Sequence, residues 1–437
     1  MAQNPLATAA NEVMSASAPQ VFHLLSELGQ ELFFPKGILT QSAEAGKLAT
    51  RYNATIGIAT ENGHAMHLDC VQKQFADDLN ADDLYPYAPS TGLPALRAAW
   101  QAKQVAETPS LAGQATSLPV VTNALTHGLA LVGELFINRG DEVLLPDQLW
   151  GNYRLTWGTR QGARLSTFPF FTDDLQGFNQ AAFAAAIAER HGQKIIVVLN
   201  FPNNPTGYSL TTAEQAAVVV TLTDAAAAGT KIVAVCDDAY YGMFFDDTCA
   251  TESIFGPLSQ AHPNLLAIKV DGATKEQFVW GLRVGFITYG FQGGTDDVYK
   301  ALEQKTGGAI RGAVSNVTRP GQTIVLRALQ NPAFGAQRAA KVALLQGRAA
   351  ATAQAARDPA YQDLWDVYPF NAGYFMCIRL KNVDAEMLRV HLLQEHGLGV
   401  IALGKTDIRV AFSCLDEEQI ADVFARIAQG IQALSAA

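Results

Sequence analysis

From about residue 118 to residue 290, short apolar runs alternate with longer helical stretches, and no other feature narrows the fold of the chain so far. Residues 119–122, 142–145, 194–199, 231–236, 265–270 and 284–289 read as buried strands. Ala-rich stretches at 180–190 and 211–228 read as helices lying between them. Runs of Val, Ile and Leu separated by helices predict an α/β fold whose sheet is mostly parallel and covered by helices on both faces. Sheets of that kind place their sites at the carboxyl ends of the strands.

After about residue 320 the pattern changes. An Ala, Gln and Arg-rich stretch, 322–357, reads as one extended helix or two in series. A strand (374–380), a helix (385–396), a strand (408–412) and a final helix from about Asp416 follow. This suits a smaller α/β domain joined to the large one by the long helix. The charge of -10 argues against a nucleic-acid partner, which needs clustered Lys and Arg. Five scattered cysteines, with no Cys-x-x-Cys pair, read as reduced thiols of a cytoplasmic protein. The first twenty residues have no apolar core and no run approaches a spanning helix, so neither signal peptide nor membrane anchor is expected.

Polar clusters fall at or just past the ends of the strands. Strand 194–199 is followed by Asn200-Phe201-Pro202-Asn203-Asn204-Pro205-Thr206-Gly207, and strand 231–236 by Asp237-Asp238-Ala239-Tyr240. Strand 265–270 is followed by Asp271-Gly272-Ala273-Thr274-Lys275, with Arg283 eight residues beyond the lysine. Strand 142–145 leads to Pro146 and then Trp150. Singly, these are a turn, a capped or solvated loop, a surface lysine and a core tryptophan. Their order on consecutive strands is what sets them apart.

In that order they resemble the class I aminotransferases of fold type I, which use pyridoxal 5′-phosphate. The likeness rests on Asn204-Pro205-Thr206-Gly207, Asp237-x-x-Tyr240, Lys275 with Arg283, and Arg409 before Val410, and runs from about Asn53 to Arg409. Thr55-Ile56-Gly57-Ile58, read as a strand, and Tyr87 with Gly92 and Leu96-Arg97 are similar to the aspartate/aromatic aminotransferase branch. The resemblance implies an N-terminal arm and part of the small domain over 1–52, a large cofactor domain over 53–320, and the connecting helix and small domain over 321–437.

The resemblance also implies roles. Lys275 would bond the cofactor aldehyde as an imine and then carry the proton. Asp237 would keep the pyridine nitrogen protonated, Asn204 and Tyr240 would hydrogen-bond the ring's 3′-oxygen, and Trp150 would stack on the ring. The phosphate would be held by Arg283 and by a helix start near Leu125-Thr126-His127. Two departures stand here: the family usually has small residues at that turn, and often a serine where this chain has Gly272. Thr274 offers a substitute hydroxyl. Arg409 would grip the substrate α-carboxylate, helped by close approach at Gly57. Arg311 falls where the aspartate-like branch reads a side-chain carboxylate, though a solvated helix-end arginine is the plain alternative. Tyr87 would reach the phosphate of a neighbouring subunit, and Ser315-Asn316 resembles another shared segment, which implies a homodimer.

The implied activity is transfer of an amino group from an amino acid to a 2-oxo acid in a ping-pong cycle, with aspartate or an aromatic donor and 2-oxoglutarate as acceptor. The same scaffold supports β-elimination (C–S lyase) and decarboxylation, which differ in the bond broken. A non-catalytic ligand-sensing module is the alternative of another class, although too few residues precede Asn53 for the DNA-binding domain of such regulators. Gly399 to Thr406 satisfies the nucleotide-loop pattern G-x-x-x-x-G-K-[ST], but its interior is apolar and a strand is expected after it, where a nucleotide loop needs a helix. His64 and His67, or His391 and His396, lack zinc-ligand spacing, so no metal is expected.

Overall fold

All six apolar runs become strands of a single seven-stranded sheet in the computed structural model, which describes residues 4–33, 37–76 and 79–436. Parts of the expected N-terminal arm, 1–3 and 34–36, lie outside the described residues. In chain order the strands are β1 (Val120–Asn123), β2 (Glu142–Pro146), β3 (Arg164–Phe168), β4 (Lys194–Asn200), β5 (Lys231–Asp237), β6 (Leu265–Gly272) and β7 (Val284–Gly290). Their spatial order is β1-β7-β6-β5-β4-β2-β3. Only β7 runs against its neighbours, β6 and β1; the other pairings are parallel. The expectation of a mostly parallel sheet is met. Strand β3 was hidden in the sequence because, at the edge of the sheet, it mixes polar and apolar residues.

Both faces of the central strands are buried, and this explains their unbroken apolar runs. Along β4, Ile196 and Val198 face one hydrophobic cluster while Ile195, Val197 and Leu199 face another. Each such side chain, fully buried, contributes about 1.5–3 kcal/mol. The helices that matter for the site are α1 (Pro94–Glu107), α2 (Ala124–Phe136), α3 (Ala273–Glu276), α4 (Asp296–Ala313), α5 (Arg319–Gln330) and α6 (Phe334–Ala356). The 322–357 stretch is therefore two helices in series. Pro332 disfavours helical backbone at Asn331, which is extended with ψ 125°, and the chain restarts at Phe334.

A second, antiparallel sheet of four short strands follows in the order Trp365–Val367, Met376–Leu380, Asp407–Val410, Ile401–Leu403. Helices Ala385–His396 and Ile420–Ala436 pack beside it around a third hydrophobic cluster. The final helix is entered through a 3₁₀ turn at Glu417–Gln419 capped by Asp416, where its start was expected. Tyr52–Asn53 pairs in parallel with Leu398–Gly399, and helix Ile38–Leu48 lies against that strand and Ile401–Leu403, so residues 38–53 fasten beside the second sheet.

The expected strand at Thr55–Ile58 is not formed. Side chains take its carbonyls in place of a ladder: Arg409 binds the Thr55 oxygen, Ser413 the Ile58 oxygen, and Cys414 lies on those of Ile56 and Ile58. Gly404 to Thr406 form a turn between two antiparallel strands, so the nucleotide-loop pattern is coincidental. All five cysteines are free; Cys414 alone is partly exposed. Among the described residues no helix is long and apolar enough to cross a membrane, and no His, Cys, Asp and Glu side chains group as a metal site.

Candidate active site

The carboxyl ends of β4, β5 and β6 lie side by side and carry Asn204, Asp237 and Lys275 within or just past them. Asn200 ties two of these ends together: its side-chain amide donates to the Asp237 carbonyl at 2.9 Å, while its Oδ1 accepts the Asn204 backbone N–H at 2.9 Å. The turn that follows is closed by Asn203, whose Oδ1 accepts from the Thr206 amide at 3.1 Å and hydroxyl at 2.8 Å. The Asn-Pro-Thr-Gly segment is thus a real turn that also sets Asn204 in place.

Asp237 is 3% exposed. Its Oδ2 accepts a short hydrogen bond from the Tyr153 hydroxyl, and its Oδ1 has no partner. Burial pushes this carboxyl up to about 6, although the Tyr153 hydrogen bond and the charge of Lys275 pull the other way. Lys275 sits in the single turn of α3, its ammonium nitrogen 4.7 Å from the Tyr240 ring centroid. Burial and the nearby charge of Arg283 lower its amine to about 8, against the pull of Asp237. A lysine of that kind is a usable base near neutral pH. Tyr240 is buried edge-on against Tyr374 and Phe375, with ring centroids 5.2 and 5.5 Å away.

Arg409, on the second sheet, reaches this group from the other side and is 1% exposed. It donates to Asn204 Oδ1 at 3.1 Å and the Thr55 carbonyl at 2.8 Å, lies 4.1 Å over the Phe375 ring, and leaves Nε without a partner. Gly57 stands beside it. A side chain there would meet only Phe375 at 3.6 Å and the Tyr240 hydroxyl at 3.8 Å, so the protein's own packing does not demand a glycine.

The expected phosphate turn is the start of α2. Ala124 is left-handed with φ 58°, and Leu125 and Thr126 follow in the first turn, where N–H groups lack a carbonyl one turn behind. His127 Nδ1 accepts from the Asn123 amide at 3.0 Å, while its Nε2 is buried without a partner. Close approach accounts for Gly272: an added Cβ would lie 2.8 Å from both the Gly285 Cα and the Val284 oxygen. A serine cannot occupy this position. Thr274, two residues on, keeps a buried hydroxyl without a partner. Arg283 is exposed and left-handed (φ 55°), with a hydrogen bond to the Trp280 carbonyl at 3.1 Å.

Trp150 is half-buried and meets Tyr153 edge-on, with centroids 5.5 Å apart. Tyr153 in turn stacks on Trp157 at 5.0 Å, and Trp157 donates to the Leu129 carbonyl of α2 at 2.9 Å. Tyr153 is a site residue that the sequence reading missed, and Asn200 and Thr55 stood in its motifs without a role. The turn into a π-helix at Arg154–Thr159, a feature frequent at functional sites, was the structural signal for Tyr153, and no motif announced it. Two candidates lie apart from this group. Tyr87 is 88% exposed, and exposed Arg311 at the end of α4 hydrogen-bonds Ser315 at 2.5 Å.

Buried polar groups are ordinarily paired, so unpaired ones gathered in one place ask for a ligand. Asp237 Oδ1, Thr274 Oγ1, His127 Nε2 and Arg409 Nε are such groups, set on the segments that frame Lys275. An amine, an acidic acceptor, hydroxyl and amide donors at a helix start, and two arginines suit pyridoxal phosphate with a carboxylate substrate.

The comparisons with known proteins bear on the fold and the family. Aspartate aminotransferase from Musicola paradisiaca (strain Ech703) is 30% identical over 95 residues, 22% of this chain, and that match spans only 23% of the relative's length. A crystal structure of an aminotransferase from Anaerococcus prevotii DSM 20548 superposes with a TM-score of 0.82 at 24% identity, covering 93% of this chain and 98% of the other. Cytoplasmic aspartate aminotransferase from Saccharomyces cerevisiae gives a TM-score of 0.75 at 19% identity, with 95% and 99% covered. Both structural likenesses speak for the fold. The family described as aminotransferase class I and II matches residues 55–427, most of the chain, and the protein belongs to that family.

Proposed function

We propose that the protein is a pyridoxal-phosphate-dependent amino acid:2-oxo acid aminotransferase working through two half-reactions. The observation that carries this reading is the set of unpartnered buried polar atoms around Lys275, a lysine whose amine is lowered to about 8. When bound, the cofactor supplies an aldehyde that bonds amines and a cationic ring that withdraws electrons from the neighbouring carbon.

This chain's residues supply the rest. Lys275 would hold the cofactor's aldehyde, and its Nζ is the base that would take the proton from the substrate α-carbon. Asp237 Oδ1 accepts from the ring nitrogen and keeps it charged. Asn204 and Tyr240 serve the ring oxygen and Trp150 the ring face. Arg283, Thr274 and the start of α2 at Leu125, Thr126 and His127 hold the phosphate. Arg409 and Asn204, with the open space at Gly57, orient the substrate carboxylate. We assign residues 53–320 to the cofactor domain, and 1–52 with 321–437 to the arm, connecting helices and small domain. Tyr87 and Arg311, both exposed in the single chain, support a homodimer in which each subunit completes its partner's site.

Borohydride reduction of protein reconstituted with pyridoxal phosphate, followed by peptide mapping, is expected to fix the label on Lys275. A label on any other lysine refutes the reading. Amino acid alone, with no oxo acid acceptor, should then give the amine-form absorbance, which separates transamination from elimination and decarboxylation, and a donor panel with 2-oxoglutarate should show turnover. We assign aspartate or an aromatic amino acid as donor. Arg311→Gln should raise KM for dicarboxylate donors far more than for aromatic ones, and equal effects on both would remove Arg311 from substrate recognition.

A further inference from the structure

Lys275 sits in α3, a helix of four residues. One turn of helix cannot hold itself in place, because its hydrogen bonds do not compensate the entropy of nucleation. Something outside the turn must fix the direction of the lysine. The residue after it, Glu276, is fully buried, and its Oε2 accepts a short bond from Lys103 Nζ on α1. The Glu276 carbonyl accepts from Arg338 Nε of α6 at 3.0 Å, and the Lys275 carbonyl from the Tyr374 hydroxyl at 3.4 Å. Lys103 is itself pinned by Glu107 at 2.5 Å and by the Trp100 ring at 4.7 Å.

We propose that Lys103 and Glu276 form a positioning pair for Lys275, holding the turn that carries it. The inference rests on Lys275 being the cofactor lysine. None of these groups is needed for the chemistry assigned above. Stability does not explain the pair either, since an apolar pair of the same volume commonly serves as well or better at a buried site. Glu276 also leaves Oε1 buried without a partner, a loss that an apolar side chain would avoid. What an apolar pair would not supply is a directional link from a rigid 14-residue helix to the peptide unit next to Lys275.

The test is the double variant Lys103→Met/Glu276→Leu, as reconstituted enzyme beside wild type. Positioning predicts a melting temperature within a few degrees of wild type, since the buried pair is removed together and Glu107, the other partner of Lys103, is 30% exposed. It also predicts a fall in kcat of about tenfold to 100-fold with KM within about twofold. Two readouts that do not depend on turnover should move with it. One is the pH midpoint of the cofactor's absorbance band. The other is the rate at which trinitrobenzenesulfonate labels Lys275 in the cofactor-free chain. A stable double variant with wild-type kcat, midpoint and labelling would overturn the proposal and make the pair a packing feature. If the double variant does not fold, Glu276→Gln keeps the shape and decides by the same readouts. Wild-type borohydride trapping on a lysine other than Lys275 would remove the underlying reading; trapping on Lys275 beside an unaffected double variant removes only the positioning role.

Discussion

Two lysines six residues apart, Lys269 on β6 and Lys275 in the turn after it, have been given opposite surroundings. Lys269 is 2% exposed and pairs closely with Asp238, with Asp271 at 3.8 Å and the Tyr241 ring 4.5 Å below it. Burial disfavours its charge, but the two carboxylates outweigh that and hold the ammonium well above its ordinary range. Those carboxylates are also supplied: Asp238 accepts from Ser253 at 2.6 Å, and Asp271 from Trp100 at 3.1 Å and Gln104 at 3.0 Å. At Lys275 burial wins, the amine falls to about 8, and the groups around it keep polar atoms without partners. A buried charge with all its partners is structure, and several neighbouring groups short of partners suit a ligand. The pair separates the two cases within one stretch of chain.

The largest effect expected from breaking this contrast is on the finished side. Lys269→Met strands Asp238 and Asp271 in the interior and should cost about 3–5 kcal/mol of unfolding free energy in urea. Lys275→Met strands only Asp237, which retains its Tyr153 hydrogen bond, and should cost clearly less. Equal losses would mean that the two lysines are alike and that the contrast is false.

How much of this was legible in the sequence follows from where each residue sits. Asn204, Asp237 and Lys275 could be found because apolar runs end abruptly and the polar residues after them fall at the carboxyl edge of a parallel sheet. Tyr153 could not, because its partner Asp237 lies 84 positions away and only the sheet order brings them together. Thr55–Ile58 was read as a strand from its likeness to a segment of the aspartate-like branch, whereas here side chains of the second sheet and of the turn after it claim the carbonyls. Gly272 looked like a departure from the family, yet the antiparallel approach of β7 leaves no space for a side chain. The identity of the neighbouring strand is a property of topology, and the local sequence does not carry it.

A pH experiment sharpens the contrast further. In the cofactor-free chain, native Lys275 releases its proton near pH 8, while the unfolded chain keeps it to about 10.5. Between those values the unfolded state binds more protons, so this residue makes stability rise with pH across the window. The gain of wild type relative to Lys275→Met should reach on the order of 3 kcal/mol by the top of it. Lys269→Met should show no such rise, because Lys269 stays charged in the native state across the window. Denaturant titrations at several pH values would show it, and a flat difference for Lys275→Met would place its amine among ordinary lysines.

The smallest expected effect lies at the one bond that makes Asp237 half finished. Burial and the neighbouring carboxylate push the Tyr153 hydroxyl well above its ordinary range, so it remains a neutral donor at every working pH. By holding Oδ2 it favours the ionised carboxylate and leaves Oδ1 as the oxygen without a partner, which a ring nitrogen requires. Tyr153→Phe keeps the stack on Trp157 and removes only this hydrogen bond. A hydrogen bond to a charged group contributes about 1.5–3 kcal/mol, so kcat should fall roughly tenfold to 100-fold with KM nearly unchanged. In the cofactor-free chain the Asp237 carboxyl, already raised to about 6, should rise further, which infrared difference spectra against Asp237→Asn would reveal. If the carboxyl titrates as before and kcat holds, Tyr153 is an aromatic spacer between Trp150 and Trp157, and Asp237 owes its ionised state to the positive charges of Lys275 and the bound ring alone.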